Sequence, residues 1–198
     1  MPTVGVLALQ GDFLEHLQAL RRVGVEAKEV RLPRELEEVD GLIIPGGEST
    51  TIARLMKIYD LAEPIKGQAQ AGLPIFGTCA GMIVVAQNIL DFDQFSLDLI
   101  DIDVKRNAFG RQVDSFEMDL PVKDLGEEPF HTVFIRAPII QRTGPEVKVI
   151  AQLPDGTPVA AKQGNVMVSS FHPELTDDPR FHVYFTSMIN AGGKKGRQ

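Results

Sequence analysis

The first half of the chain alternates short apolar runs with amphipathic stretches, and this alternation restricts the fold more than any other feature. Residues 3–9, TVGVLAL, are rich in β-branched side chains and are typical of a buried strand. The stretch that follows places Phe13 and Leu17 on one helical face. Apolar runs at 41–44 and 73–76 are again followed by helical patterns. Strands that alternate with helices predict a mostly parallel sheet covered by helices on both faces.

Local signals bound several of these elements. Asp12 and Glu15 have the spacing of a capping box, and Gly24 is a typical helix C-terminus, so we expect the first helix between them. Residues 25–30 predict a weaker strand. Further helices are expected from Ser49 or Thr50 to Tyr59, over about 61–71 and over 80–89.

The pattern changes from about residue 97 onward. There, short strand-like runs are separated by turn residues, which predicts additional mixed or antiparallel strands packed on the same domain. A last helical pattern covers 180–190. The predicted fold is therefore an α/β three-layer sandwich with a mostly parallel central sheet. We expect one domain over 1–191 and a frayed tail over 192–198.

Composition excludes several classes of protein. A chain of 198 residues is long enough for one domain with a full core, and its net charge of −7 disfavours a nucleic-acid surface, which needs a basic patch. The first apolar run is too short for a signal peptide, and no stretch approaches the ~20 apolar residues of a membrane span. The single cysteine allows no internal disulfide. These observations predict a cytoplasmic protein that binds neither nucleic acid nor membrane.

The single cysteine, Cys79, lies in the sequence GTCAG between a predicted strand and a predicted helix. A Gly-x-Cys-x-Gly sequence at such a junction is typical of a nucleophile elbow, a sharp turn that lifts the side chain out of the sheet. The start of the next helix favours the thiolate, and the N–H of Ala80 is placed to bind an oxyanion. Because most lone cysteines are simply buried, the interpretation of Cys79 as a nucleophile depends on finding a base.

The sequence SSFHPE supplies the candidate base. His172 follows an apolar strand and precedes a proline, which favours extended backbone. Residues i and i+2 of an extended chain point to the same side, so Glu174 can orient the imidazole of His172. The helical positions of His16 and His182 instead favour surface or core-edge roles. We therefore predict that Cys79, His172 and Glu174 are the nucleophile, the base and the orienting acid.

A second glycine-rich loop, PGGEST, follows the predicted strand at 41–44. Two consecutive glycines allow backbone conformations that expose N–H groups, so the N–H of Gly47 is a candidate for the second oxyanion donor. The loop lacks the Gly-Lys-Ser/Thr ending of a phosphate-binding loop, and we predict no nucleotide site. Neither a cofactor nor a metal ion is expected.

Taken together, these motifs resemble a known family. PGGEST, GTCAG and FHPE, in this order, are similar to the class I, or triad, glutamine amidotransferases. The finer resemblance is to the glutaminase subunits of pyridoxal 5′-phosphate synthases, and it includes GVLALQGDFLEH, KRNAFGRQVDSFE, FIRAP and HPELTDDPRFHVYF. The similarity extends from about residue 3 to about residue 190, and it implies the flavodoxin-like fold of class I glutaminases.

The resemblance implies that the protein hydrolyses L-glutamine to L-glutamate and ammonia. Cys79 would attack the side-chain amide to form a glutamyl thioester. His172 would protonate the leaving ammonia and then activate the water that hydrolyses the thioester. Guanidinium groups suit the carboxylate of a free amino acid. The residues that the resemblance assigns to the glutamine site are Gly47, Glu48, Ser49, Arg106, Ile135 and Arg136.

The resemblance also implies a protein partner. Ammonia would pass to a synthase subunit, a (β/α)8 barrel that builds pyridoxal 5′-phosphate from a pentose phosphate and a triose phosphate. Family members form a large heteromeric complex with this subunit. The active-site edge would then face the synthase, and Gln10, at the end of the first strand, would sense docking.

Two other interpretations remain open from the residues alone. One is a glutaminase or cysteine hydrolase of another pathway on the same scaffold. The other is a non-catalytic, flavodoxin-like binding module with an incidental cysteine. The second differs from an enzyme in the reactivity of the thiol, because a buried structural thiol is alkylated slowly and an activated one rapidly.

Overall fold

The computed structural model describes residues 2–106 and 115–191. The strands are β1 (Thr3–Leu7), β2 (Glu26–Val30), β3 (Gly41–Ile44), β4 (Ile75–Thr78), β5 (Ala86–Ile89), β6 (Ile100–Lys105), β7 (Ser115–Leu120), β8 (Phe130–Ile135), β9 (Ile139–Thr143), β10 (Lys148–Gln152), β11 (Pro158–Gln163) and β12 (Val166–Ser169). The α-helices are α1 (Phe13–Arg22), α2 (Pro33–Leu36), α3 (Ser49–Ile58), α4 (Ala62–Gln70), α5 (Ala80–Val85) and α6 (Arg180–Ala191).

A seven-stranded sheet forms the centre of the fold, with the strand order β10–β11–β12–β4–β3–β1–β2. The five strands from β12 to β2 run parallel to one another. β10 and β11 pair antiparallel and extend the sheet beyond β12. β5, β6 and β9 form a smaller sheet, and β7 and β8 form a hairpin. The predicted mostly parallel sheet with additional mixed and antiparallel strands is confirmed.

Each face of the central sheet buries its own apolar cluster. Leu42 and Ile44 of β3 point into a cluster that also contains buried residues of α3, α4 and α5. Ile43, between them, points into a second cluster with α1 and α6, in which Phe76 packs against Phe181. Because successive residues of a strand face opposite sides, a strand covered on both sides is apolar throughout. The three-layer arrangement follows from this pattern.

The prediction of a helix over 80–89 is wrong beyond Val85. Residues 86–89 form β5 instead, which pairs with β6. The side-chain amide of Asn88 donates a hydrogen bond to Asp103 at 2.8 Å across this pair. Such long-range contacts override a local helical pattern.

The predicted capping box at the start of α1 is also wrong. α1 begins at Phe13, but the side chain of Asp12 does not bond to its first turn. Gly24 does follow the end of the helix, with φ +74° and a hydrogen bond from its N–H to the carbonyl of Arg21. The Asp12 carboxylate turns instead toward the carboxyl edge of the sheet.

Two predicted features lie outside the described residues: the tail at 192–198 and the central part, 107–114, of the motif KRNAFGRQVDSFE. Within the described part of the chain, no helix is both long enough and apolar enough to cross a bilayer.

Candidate active site

Several loops meet at the carboxyl edge of the parallel strands, where ligands bind in open α/β sheets. They surround a cleft of about 380 Å³. Every site residue predicted from the sequence except Glu174 lines this cleft. Asp12, Ile83 and Pro138 line it as well. The structure therefore brings together motifs that are far apart in the chain.

Cys79 lies at the sharp turn between β4 and α5, with φ +48° and ψ −105°. Positive φ is strained for a residue with a side chain, and it persists only where the surroundings enforce it. The N–H of Cys79 donates to the carbonyl of Ser169 at 2.8 Å, and its Sγ lies 3.9 Å from the carbonyl oxygen of Ile135. The sulfur thus sits at the base of the cleft with the backbone geometry of a nucleophile elbow.

Close packing explains the two glycines of GTCAG. A Cβ atom on Gly81 would collide with the carbonyl oxygen of Ile44 in β3. One on Gly77 would lie 2.7 Å from the carbonyl oxygen of Gly81. The first turn of α5 can therefore lie directly against the sheet only because both residues lack side chains. This close approach holds Cys79 in place between them.

His172 reaches Cys79 from the strand beside β4. β12 and β4 are parallel neighbours with Ser169 opposite Thr78, so the segments after both strands leave the sheet side by side. The side chains of His172 and Cys79 form a hydrogen bond. Nδ1 of His172 lies 2.7 Å from Oε1 of Glu174, and both residues are buried. The three side chains form one hydrogen-bonded chain, in the predicted order.

The electrostatics of this chain favour a charged imidazole. Burial acts to lower the pKa of His172, but its hydrogen bonds with Cys79 and Glu174 outweigh burial and raise the pKa to about 11. Burial raises the pKa of Glu174, and the hydrogen bond from His172 opposes this rise. This geometry therefore favours a protonated His172 between Cys79 and Glu174 in the resting site. The imidazolium supplies the proton that a leaving amine needs.

Asp12 adds a second carboxylate beside the base. Its Oδ2 lies 3.4 Å from Nδ1 of His172, and its side chain is 39% exposed to the cleft. Asp12, His172 and Glu174 each have a ligand atom within 4.8 Å of the others, a spacing that could hold a metal ion. However, Nδ1 of His172 donates to Glu174, so this nitrogen has no free lone pair for a metal.

The PGGEST loop lies beside the base, since a Cβ atom on Gly46 would collide with the His172 ring. Gly47 has φ +146°, and a Cβ there would lie 2.6 Å from Oε1 of Gln10. The same Gln10 oxygen accepts a hydrogen bond from the N–H of Glu48 at 2.8 Å. The Glu48 carboxylate caps α3, where it accepts hydrogen bonds from the backbone N–H groups of Thr50 and Thr51 at 3.2 Å and 2.7 Å. Burial acts to raise the pKa of Glu48, but its hydrogen bonds with Thr50 and Thr51 lower it to about 2.

Arg106 is held at the cleft wall by Gln94, a residue that sequence analysis did not select. Gln94 Oε1 accepts hydrogen bonds from Nη1 of Arg106 at 3.1 Å and from the hydroxyl of Ser49 at 3.0 Å. Nη2 of Arg106 lies 3.6 Å from Glu48, and its guanidinium covers the ring of Phe92 at 4.7 Å. The cation is therefore positioned before any ligand arrives.

Ile135 and Arg136 enter the site from the end of β8. The carbonyl of Val133 in this strand accepts the backbone N–H of His172 at 2.9 Å, so β8 also supports the base. Arg136 has φ +42°, an uncommon value for a residue with a side chain. This turn aims the FIRAP segment into the cleft, where Pro138 also lines the wall.

The sequence profile of the SNO glutamine amidotransferase family matches residues 6–191. The chain belongs to this family. It is 54% identical to a protein of Roseiflexus sp. (strain RS-1) named pyridoxal 5′-phosphate synthase subunit PdxT, over 94% of this chain and 100% of that protein. It is 56% identical to the protein of the same name from Herpetosiphon aurantiacus, over 94% and 100% of the two chains.

A solved structure agrees with this assignment. A crystal structure described as a glutamine amidotransferase superposes with a TM-score of 0.90 at 52% sequence identity. It covers 94% of this chain and 98% of its own. This chain therefore has the fold of that solved glutamine amidotransferase.

Sequence analysis missed three cleft residues of this amidotransferase for identifiable reasons. Asp12 has the spacing of a helix cap, and this signal concealed its position at the cleft. Ile83 belongs to an apolar helix whose pattern is that of an ordinary core element. Pro138 is part of FIRAP, and the motif itself was a usable signal.

Proposed function

We propose that this chain hydrolyses the side-chain amide of L-glutamine and serves as the glutaminase subunit of a pyridoxal 5′-phosphate synthase. One observation carries the proposal: Cys79, on a nucleophile elbow at the base of a cleft, hydrogen bonds to a buried His172 that is oriented by Glu174. A nucleophile, a base and an orienting acid in this order suit acyl transfer. Family membership and the names of the curated relatives support glutamine as the acyl donor.

In the first half of the reaction, the Cys79 thiolate attacks the amide carbon of glutamine. The carbonyl oxygen becomes an oxyanion, which the N–H groups of Ala80 and Gly47 stabilise; both residues line the cleft. His172 gives its proton to the amide nitrogen as the carbon–nitrogen bond breaks. Ammonia leaves, and a glutamyl thioester with Cys79 remains.

In the second half, water replaces ammonia. His172, now neutral, removes a proton from the water as the oxygen attacks the thioester carbon. The same two N–H groups stabilise the second oxyanion. The carbon–sulfur bond then breaks, which restores the thiolate and leaves the imidazole protonated. The product leaves with a γ-carboxylic acid, which gives its proton to water or to the released ammonia and becomes glutamate. Every proton moves between substrate, water and the chain's own residues.

The cleft also holds groups that suit the rest of the glutamine molecule. Arg106 and Arg136 bring two guanidinium groups for the α-carboxylate. Glu48 and Asp12 bring carboxylates for the α-ammonium. Ser49 and Ile135 complete the walls against the side-chain methylenes and amide. A free amino acid with both charges fits this lining better than an internal peptide residue does.

We assign the glutaminase to one domain over 1–191 and its location to the cytoplasm. Strands from both halves of the chain lie in one sheet, which supports a single domain. The partner is the (β/α)8 synthase subunit, in a large heteromeric complex that receives the ammonia. A hydrolase of another pathway on the same scaffold is the main alternative.

The deciding experiment measures glutamate and ammonia release from L-glutamine, with and without the synthase subunit, for the natural chain and Cys79→Ser. We expect turnover that rises with the synthase and is abolished in the variant. An unrelated (β/α)8-barrel protein serves as the control partner. Turnover that is unaffected by the synthase would favour another pathway. No turnover in any condition, with slow alkylation of Cys79, would overturn the enzymatic assignment.

A further inference from the structure

Two histidines that the proposed reaction does not use lie directly behind the catalytic chain. The prediction that His16 and His182 have surface or core-edge roles is wrong, because both are fully buried. They come from α1 and α6, which cover the same face of the sheet. Nδ1 of His16 lies 3.0 Å from Nε2 of His182. A buried imidazole pair needs a hydrogen-bonding explanation, since burying unpaired polar groups is costly.

His16 connects this pair to the active site at two points. Its Nε2 lies 3.1 Å from Oγ1 of Thr78, the residue before the nucleophile. The same nitrogen lies 3.3 Å from Oε2 of Glu174, whereas the hydrogen bond with His172 is made by Oε1. The chain Cys79–His172–Glu174 therefore continues through His16 to His182.

The available hydrogen-bond partners select the tautomers of His16 and His182. Among the described residues, Oε2 of Glu174 and Nδ1 of His182 are buried without an ordinary hydrogen bond. If His16 carries its proton on Nε2, this nitrogen donates to Thr78 and also lies 3.3 Å from the otherwise unpaired Oε2 of Glu174. Its Nδ1 then accepts from Nε2–H of His182, and Nδ1 of His182 is a bare lone pair. The opposite tautomers would leave a buried N–H of His182 without an acceptor and Glu174 without a donor.

Both rings are suited to remain neutral in this position. Burial lowers the pKa of His16 well below its usual value, and the nearby His182 and His172 lower it further. Burial also lowers the pKa of His182, to about 4, with a smaller contribution from Arg22. A neutral ring can donate to a carboxylate without cancelling its charge, so Glu174 remains an anion for His172.

We propose that His16 is a positioning residue of the reaction: as a neutral Nε2–H donor it fixes the second oxygen of Glu174, and His182 fixes its tautomer. This inference rests on the proposed glutaminase function. With both oxygens of Glu174 held, the carboxylate cannot rotate away from Nδ1 of His172. His16 also touches Thr78, so one ring ties the nucleophile's strand to the orienting acid.

The first test requires no substitution. In protein labelled with ¹⁵N-histidine, long-range ¹H–¹⁵N spectra at neutral pH report which ring nitrogen carries each proton. We expect the Nε2–H tautomer for both His16 and His182, assigned with the His182→Gln variant. An Nδ1–H tautomer or a charged ring at His16 would overturn the proposal, whether or not the chain hydrolyses glutamine.

The second test uses kinetics with a matched pair of variants. His16→Leu removes the donor, and we expect kcat to fall ~10- to 100-fold with little change in KM, as for a misplaced catalytic group. His16→Gln keeps an N–H near the position of Nε2, so it should recover most of kcat. Leu17→Ala, at the next buried position of α1, controls for lost stability. Equal losses in the Leu and Gln variants, or an unchanged kcat in His16→Leu, would contradict a positioning role.

The two tests separate this inference from the proposed function. If the natural chain with its synthase releases no ammonia, the glutaminase assignment fails, but the tautomers can still be measured. If glutamine is hydrolysed and His16→Leu has the natural kcat, the positioning role alone fails. If His16→Leu does not fold, the tautomers of the natural protein decide.

Discussion

The side-chain carbonyl of Gln10 accepts a hydrogen bond from the backbone N–H of Glu48 at 2.8 Å. This contact joins the loop after β1 to the loop that carries Gly47. Because Gly47 supplies a proposed oxyanion donor, we expect a displacement of Gln10 to move that donor as well. We therefore expect Gln10 to couple the loop after β1 to the position of this proposed donor.

Replacing Gln10 with alanine should impair activation by the synthase more than it impairs folding. The loop loses its support, and we expect the synthase-stimulated rate to fall roughly 10- to 100-fold. Ammonia release with and without the synthase measures this ratio, and thermal unfolding measures stability. Gln70→Ala, at an exposed end of α4, is the control. An unchanged stimulated rate in Gln10→Ala would refute the link.

Glu174→Gln should slow turnover less than Cys79→Ala. Glutamine can still accept from His172, but it lacks the charge that stabilises the imidazolium, so we expect kcat to fall ~10³- to 10⁴-fold. Loss of the nucleophile should abolish thioester formation altogether. Steady-state glutamate release compares the variants, with Glu63→Gln at an exposed position of α4 as the control. Equal inactivity of Glu174→Gln and Cys79→Ala would show that the carboxylate does more than orient.

Gly81→Ala should destabilise the elbow, because its Cβ would meet the carbonyl of Ile44. We expect a loss of about 1–3 kcal/mol in the free energy of unfolding and a large loss of turnover. Urea denaturation gives the first quantity and ammonia release the second. Gly67→Ala is a matched control, because nothing lies within 4 Å of a Cβ at this position of α4. The free energy of unfolding of Gly67→Ala should rise by up to about 1 kcal/mol.

Arg106→Ala should raise KM for glutamine about 10- to 100-fold, since a hydrogen bond to a charged group contributes about 1.5–3 kcal/mol. Arg106→Lys should recover only part of the loss, because lysine lacks the planar fork. The sharper comparison uses 4-aminobutanamide, which is glutamine without its carboxylate. With this compound, both Arg106 variants should have the same KM as the natural protein. A selective loss with glutamine alone identifies the carboxylate as the contact.

Acid should destabilise the protein partly through His182. Its pKa is lowered from 6.5 to about 4, so its contribution is fully present above pH 6.5 and is lost as the pH falls toward 4. The difference between these two pKa values corresponds to roughly 3 kcal/mol in the free energy of unfolding. His182→Gln should therefore lose less stability than the natural chain between pH 7 and pH 4.5 in urea denaturation.

A matched variant reverses the sign of this effect. Hydrogen bonds with Asp119 and Glu117 raise the pKa of the exposed His131. Its stabilising contribution is present below pH 6.5 and is lost as the pH rises through the raised value. His131→Gln should therefore have a lower free energy of unfolding than the natural chain at acid pH only. Parallel pH profiles for the two glutamine variants would contradict both assignments.

The parts of the site that depend on local backbone could be predicted from sequence. Gly81 is needed for a close approach within a few residues of Cys79, so GTCAG carries its own geometric signal. Glu174 follows His172 by two positions, and a proline between them restricts the backbone. In both cases the relevant contacts are short-range.

The contacts that sequence could not supply join distant segments. Residues 86–89 became strand β5 because β6 pairs with them, and nothing within α5 marks this change. His16 and His182 each lie on a helix with ordinary periodicity, and only the packing of α1 and α6 brings their rings together. In the sequence, Asp12 has the spacing of a helix cap. Only the folded structure shows that it lies beside His172, which is far away in the chain.

The pairing of β12 with β4 also has a consequence for biosynthesis. Ribosomes make Cys79 long before His172, and these residues meet only when β12 docks against β4. A nascent chain that ends before Val166 therefore carries its thiol without a base. Closing so long a loop is entropically unfavourable, so this strand is expected to join the sheet late in folding. We therefore expect that unfinished chains do not hydrolyse glutamine.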